Sequence, residues 1–416
     1  MSLRKKIFLA TALAYIAFLI FPLFTSFSGL SISIVSVIAA SVLIMLYPQA
    51  LRNKTTLWLI LYLFAFYILL TLRGHVVVNM GSLTGTQQIF VEIGFILPSY
   101  MIMSILLYLK DERLNKIITL SSLAMFLISF IYLIPLLSEY RTLLRGQDNH
   151  KLIESGKISI QGLSTYSLMH AYIYIIPPIL YAFKVFKGKL KWMSLIALLL
   201  FLYIIYATYT TTILIVAVLC IIVSLIYRNK GKSNTVVSLL LASFAFFFLY
   251  QTGAFNTILS DMNEIYEGTA VEGKISDFQN YMEGEELGGA SIEGRENAHQ
   301  ISWDNFFENP IWGGGNAGEH SVLIDRLGTG GLFLFIPFIF LLITIAQTQF
   351  RGYKSPTTKF YYIMGLACVS IVMYTKGIFA TEGWLCYCVL MPQMLLWIER
   401  NNNIINNKIR TKKKIR

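Results

Sequence analysis

A histidine beside a run of glycines is the part of this chain best suited to chemistry. His320 stands within Glu308–Leu332, ENPIWGGGNAGEHSVLIDRLGTGGL. An unperturbed imidazole titrates near pH 6.5, so at neutral pH it can take a proton from a hydroxyl. Asn309 and Pro310 predict a break in the chain, and Gly313, Gly314 and Gly315 then carry no side chain. Backbone N–H groups in such a turn can face a ligand. Upstream, Arg295 lies in the acidic segment Gln251–Arg326, where the other basic residues are Lys274 and Arg326. A guanidinium in that setting either balances carboxylates or serves as an anion ligand. Arg141 and Arg145, at i and i+4, would share one face of a helix. Two guanidiniums side by side suit the oxygens of a pyrophosphate, and the bland alternative is a solvated charged loop.

Two helices must position these groups. His320, Leu323, Ile324 and Leu327 recur at i, i+3, i+4 and i+7, which predicts a helix running into a membrane with the imidazole at its outer boundary. Arg295, His299 and Trp303 recur every four residues, and Phe306 and Phe307 extend the apolar stripe. That pattern predicts a short helix lying against the membrane surface.

The rest of the chain supplies the membrane part. It is 56% hydrophobic with a mean hydropathy of +0.63, more apolar surface than a soluble fold can hide. Apolar runs of roughly 16–23 residues recur between charged loops, close to the length a bilayer span needs. The expected fold is all-α, a polytopic membrane protein of about twelve transmembrane helices with one large external loop. The spans include Thr86–Leu109, Thr165–Phe183, Val236–Tyr250, Gly331–Gln347 and Gly383–Ile398. Residues 1–250 would hold the first nine spans and an external loop at 138–162. Residues 251–330 would form the large external loop with the glycine–histidine stretch, 331–398 the last three spans, and 399–416 a basic tail.

Most of the 34 Lys and Arg fall in segments on one side of these spans, and most of the 22 Asp and Glu on the other. Positive residues stay inside, so both termini are expected in the cytoplasm. The net charge of +12 is thereby a matter of topology, with the tail against anionic lipid and no nucleic-acid partner. Cys220, Cys368, Cys386 and Cys388 all fall inside spans and show neither disulfide nor zinc spacing. Glu92 lies about two turns into the fourth span, shallow enough to pair with a loop arginine. Pro177 and Pro178 predict a kink in the sixth. Arg73 and His75 open an external loop, as interface anchors or as rim contacts to a lipid phosphate. Thr208–Thr212, between the seventh and eighth spans, could line a polar cavity, or bond back to its own helix.

No GxxxxGK[ST] loop, HExxH or cysteine cluster is present. Group transfer from a lipid-linked pyrophosphate donor fits the remaining parts. Such a donor is already activated, so neither nucleotide nor metal is required. The enzyme must stabilise the departing pyrophosphate and deprotonate an incoming hydroxyl.

Gly294-Arg295, Trp303, Asn309-Pro310, Gly313, Gly315, His320, Leu323, Leu327-Gly328 and Gly331 resemble the signature of bacterial O-antigen polymerases and O-antigen ligases. Those are polytopic C-type glycosyltransferases of the inner membrane. The resemblance implies polyprenyl-pyrophosphate-linked oligosaccharide as donor, Arg295 on the pyrophosphate and His320 as base, with the site facing the periplasm and no cofactor. It also implies substrate contacts from Trp303, Asn309, Gly313, Gly315 and Glu319. Membrane lipid, a chain-length regulator and a flippase are the partners it suggests. Many members carry a Ser-Arg pair between two middle spans, where this chain has Thr210-Thr211-Thr212. A second phosphate arginine would then be Arg145, Arg141 or Arg326. A polymerase is the favoured expectation, a ligase using lipid A core the first alternative, and a lipid-linked oligosaccharide flippase the second. The near absence of ionisable residues in the spans argues against an ion-coupled transporter.

Overall fold

In hydrocarbon each backbone N–H and C=O must be paired within its own segment, so apolar runs of this length fold as helices. The computed structural model describes residues 1–21, 32–73, 85–139, 170–207, 211–227, 276, 293–315, 318, 321–375 and 379–402. Among them every regular element is helical. In chain order they are α1 (Leu3–Ile20), α2 (Ile32–Leu46), α3 (Lys54–Arg73), α4 (Gly85–Leu109), α5 (Glu112–Glu139), α6 (Ile176–Val185), α7 (Lys189–Ala207) and α8 (Thr211–Ile226). Then come α9 (Glu293–Glu308), α10 (Val322–Phe350), α11 (Pro356–Thr375) and α12 (Thr381–Leu385), the last continuing helically to residue 402.

Four of these are long and apolar enough to cross a bilayer: Lys54–Arg73, Gln87–Leu109, Val322–Phe350 and Pro356–Thr375. Two shorter apolar helices, Ser33–Leu46 and Ile213–Ile226, accompany them. The expected ninth span, Val236–Tyr250, lies outside the described residues, as do the loop 140–162, Thr208–Thr210 and the tail from 403. Large apolar side chains line the outside of α3, among them Leu57, Ile60, Phe64 and Tyr67. A surface of that kind is suited to lipid and the protein is membrane-embedded.

Helix α4 is central, packed against α2, α3 and α12. Helix α10 lies between α3, α9 and α11, and α6 joins α7, α8 and α11. Prolines decide where the helices are irregular. The Pro177–Pro178 pair does more than kink its span. Helix 170–173 stops in a turn at Tyr174–Ile175, and α6 starts afresh with the prolines in its first turn, where their missing N–H groups cost nothing. In the last helix Pro392 cannot donate to the carbonyl one turn back, and Cys386–Leu390 widens into a π stretch. The orphaned Cys388 carbonyl accepts from Gln349 Nε2 of α10 at 3.0 Å, while Tyr362 Oη donates to Gln349 Oε1 at 2.6 Å.

Charged groups gather at one end. Lys5 pairs with Asp111 and holds that carboxyl below its ordinary pKa by hydrogen bonding. Arg400 lies 3.5 Å from Glu112, and Glu399 accepts the Lys354 and Ser355 N–H groups at the start of α11. The four cysteines are buried free thiols, with Cys220 of α8 and Cys368 of α11 in Sγ contact at 3.3 Å.

Candidate active site

The opposite end holds the glycine–histidine stretch. Helix α9 stops at Glu308, where Asn309 and Pro310 turn the chain as expected. Gly313 N–H closes the turn on Asn309 O at 2.7 Å, and Trp312 N–H reaches Asn309 Oδ1 at 3.4 Å. The turn then lies directly on α10. Gly314 N–H donates to Gly328 O at 2.9 Å, Leu332 N–H to Pro310 O at 2.9 Å and Phe333 N–H to Ile311 O at 3.0 Å. Helix α10 breaks at Gly331, with φ 57° and ψ −159°, and that break frees the last two donors.

Glycine is required for this approach. A Cβ at Gly331 would fall 2.5 Å from the Ile311 carbonyl, and one at Gly313, whose φ is +73°, would fall 2.5 Å from Gly328 O. The glycines therefore join two backbones. The expectation that they offer N–H groups to a ligand does not hold for Gly313 and Gly314, whose N–H groups are bonded within the chain.

Arg73, at the end of α3, clasps the joint. Its Nη1 donates to Thr329 O and its Nη2 to Gly313 O, each at 2.6 Å. Sequence reasoning had placed Arg73 only as an interface or lipid contact. The two carbonyls are 240 and 256 residues away, and no local pattern announces such a bond.

Arg326 is committed elsewhere. Its Nη2 lies 2.8 Å from both carboxylate oxygens of Glu92, and Tyr62 Oη donates to the same carboxylate. The Tyr62, Phe66 and Phe338 rings enclose the guanidinium at 5.4–6.0 Å. Glu92 thus finds an arginine partner, as its depth suggested, but on helix α10 instead of a loop. Arg326 has its charge balanced by Glu92 through Nη2, while its buried Nη1 makes no hydrogen bond among the described residues.

A polar cluster ties α9 to the start of α10. Ser302 Oγ donates to Asp325 Oδ1 at 2.9 Å and accepts from Gly318 N–H at 2.9 Å. Ser321 caps α10 by accepting from Ile324 N–H at 3.2 Å, and its own N–H donates to Asp325 Oδ2 at 3.0 Å. Neither Ser302 nor Asp325 was singled out from sequence, although a cap serine followed four residues on by an aspartate is a readable helix start. Alongside, Gly318 is pressed against the Ala298 carbonyl, where a Cβ would sit 1.7 Å away.

His320 itself lies outside the described residues, with Glu319, Arg141 and Arg145. Both of its described neighbours are fixed. Gly318 and Ser321 are held against α9 through Ala298, Ser302 and Asp325. Arg295 belongs to the first turn of α9, three residues before Ala298. The described residues Gly318 and Ser321 thus lie beside the helix in whose first turn Arg295 falls. Gly315 lies beside Arg73. Trp303 stacks on Phe307 and is not part of the polar cluster. Among the described residues no group of three His, Cys, Asp or Glu could hold a metal ion.

The family model described as O-antigen ligase matches residues 196–330, from within α7 through the glycine joint. That stretch is similar to the O-antigen ligase family, and the match supports an O-antigen ligase/polymerase assignment. No curated protein matches it.

Proposed function

We propose that the protein is a surface-polysaccharide polymerase of about twelve spans in a bacterial inner membrane, with both termini cytoplasmic and the site facing the periplasm. It transfers a polyprenyl-pyrophosphate-linked glycan to a sugar hydroxyl of a lipid-linked repeat unit. The observation that supports this reading is the hydrogen bonding of Gly318 and Asp325 to Ser302, on the helix in whose first turn Arg295 falls.

In the reaction the acceptor oxygen bonds to the anomeric carbon as the bond from that carbon to the pyrophosphate oxygen breaks. His320 takes the hydroxyl proton. Arg295 neutralises the polyprenyl pyrophosphate as it leaves. No metal is needed for either role, so turnover is expected to persist in EDTA. Arg141, Arg145 and Arg326 are the candidates for a second phosphate contact, the last already paired with Glu92 through Nη2. A flippase delivering the repeat units and a chain-length regulator are the partners such a polymerase would use.

His320→Ala is expected to lower transfer by roughly 10²–10⁴-fold while the protein still inserts and accumulates. Normal chain length in that variant would remove the histidine as base. Arg295→Lys is expected to be damaging too, because an ammonium cannot reproduce the planar fork. A ligase is the second reading, favoured by the name of the matching family. Purified protein given lipid-linked repeat units alone separates the two. A ladder of products identifies a polymerase, and transfer only after addition of lipid A core identifies a ligase.

A further inference from the structure

Helix α9 has three unlike sides. Ala298 and Ser302 face α10 and are buried. Asp304 and Glu308 are exposed and lie on the far side of the helix by its 100° step. Between these sides runs an aromatic flank. Trp303 packs on Phe306 and Phe307 with ring centroids 6.1 and 5.8 Å apart, yet Phe307 is 69% exposed and Trp303 38%. The turn that follows adds Ile311 at 60% and Trp312 at 40% exposure.

This patch continues into a surface already suited to lipid. Trp312 packs on Phe333 of α10 at 4.7 Å, just past the break at Gly331. Below it Leu332, Ile336, Phe340 and Ile343 are exposed along one face of α10. From Leu332 to Phe350 the helix rises about 28 Å, close to the thickness of the hydrocarbon core. The break at Gly331 thus lies about one hydrocarbon thickness from the far end of α10, and Trp312 packs beside it. Trp and other aromatic residues favour the boundary, where an apolar body meets lipid and a polar edge meets water.

We propose that Trp303, Phe306, Phe307, Ile311 and Trp312 form an anchor inserted among the phospholipids at the acyl–headgroup boundary. The occupant of this face is lipid, because the patch is continuous with the lipid-facing side of α10 and the exposed carboxylates Asp304 and Glu308 turn away from it. The anchor fixes the height of α9, and so of the Arg295 position, relative to the lipid phosphates. Lipid insertion itself does not depend on the transfer reaction.

The test uses the full chain in nanodiscs made with phospholipids brominated either near the glycerol or deep in the acyl chain. The protein has six tryptophans, so the emission of Trp303 and Trp312 is taken as the difference between the parent and the Trp303→Phe and Trp312→Phe variants. Phenylalanine keeps the ring packing, so both variants are expected to fold. The difference emission is expected to be quenched at least twofold more by the shallow bromines than by the deep ones, and to resist aqueous iodide. Quenching by iodide with no effect of bromolipid would place the patch in water and overturn the proposal. Protection from both quenchers would mean that protein covers it, a second copy or the acidic loop, and would equally overturn it. Neither outcome bears on catalysis, which the transfer assay addresses separately.

Discussion

Glu92→Ala is expected to destabilise the protein by about 3–5 kcal/mol, because it leaves Arg326 charged and buried without its counter-ion. The side chains of the pair are 12% and 3% exposed, and a single guanidinium nitrogen meets both carboxylate oxygens. Three aromatic rings close the remaining space, so water cannot easily replace the lost partner. The double variant Glu92→Ala/Arg326→Met is expected to recover most of the loss, since it removes the orphaned charge and refills its volume. Thermal unfolding in detergent of the parent and three variants gives the cycle. A single Glu92→Ala change within about 1 kcal/mol of the parent would mean that the pair is solvated and carries little of the fold.

Gly331→Ala is expected to remove transferase activity while leaving membrane insertion intact. Two costs coincide at this residue. A φ of +57° is uncommon for a residue with a Cβ and costs on the order of 1–3 kcal/mol, and the added methyl would fall 2.5 Å from the Ile311 carbonyl. The turn must then lift from α10, breaking the bonds from Leu332 and Phe333 and shifting the segment that leads to His320. Arg73→Ala attacks the same joint from outside, removing two hydrogen bonds to carbonyls without a steric clash. A smaller fall in turnover is expected there, with the donor KM little changed. The repeat-unit assay reads both. Full activity in Gly331→Ala would show that the joint does not position the site.

Apolar length made much of the scaffold legible. The span expected at Thr86–Leu109 folds as Gly85–Leu109, because both its ends are marked by polar residues. The helix after Gly294, its stop at Asn309–Pro310 and an ion pair for Glu92 followed from periodicity, proline chemistry and depth. The span expected at Gly331–Gln347 begins nine residues earlier as a helix, because hydropathy marks where lipid begins whereas the Ser321 cap marks where hydrogen bonding begins. The joint was hidden for a different reason. A glycine run is equally suited to cradle an anion or to admit a neighbouring backbone, and only tertiary contact decides between them. Arg73 was beyond reach because its partners are backbone carbonyls, which every residue has.

The amide of Gln349 replaces the N–H that Pro392 cannot supply, and this divides α10 into two mechanical halves. Rotating or sliding the lower half would uncover a bare carbonyl in hydrocarbon, so that half behaves as a fixed mast. On the proposed function, whatever yields when a glycan enters is expected to yield above the hinge at Gly331, on the side of the glycine joint.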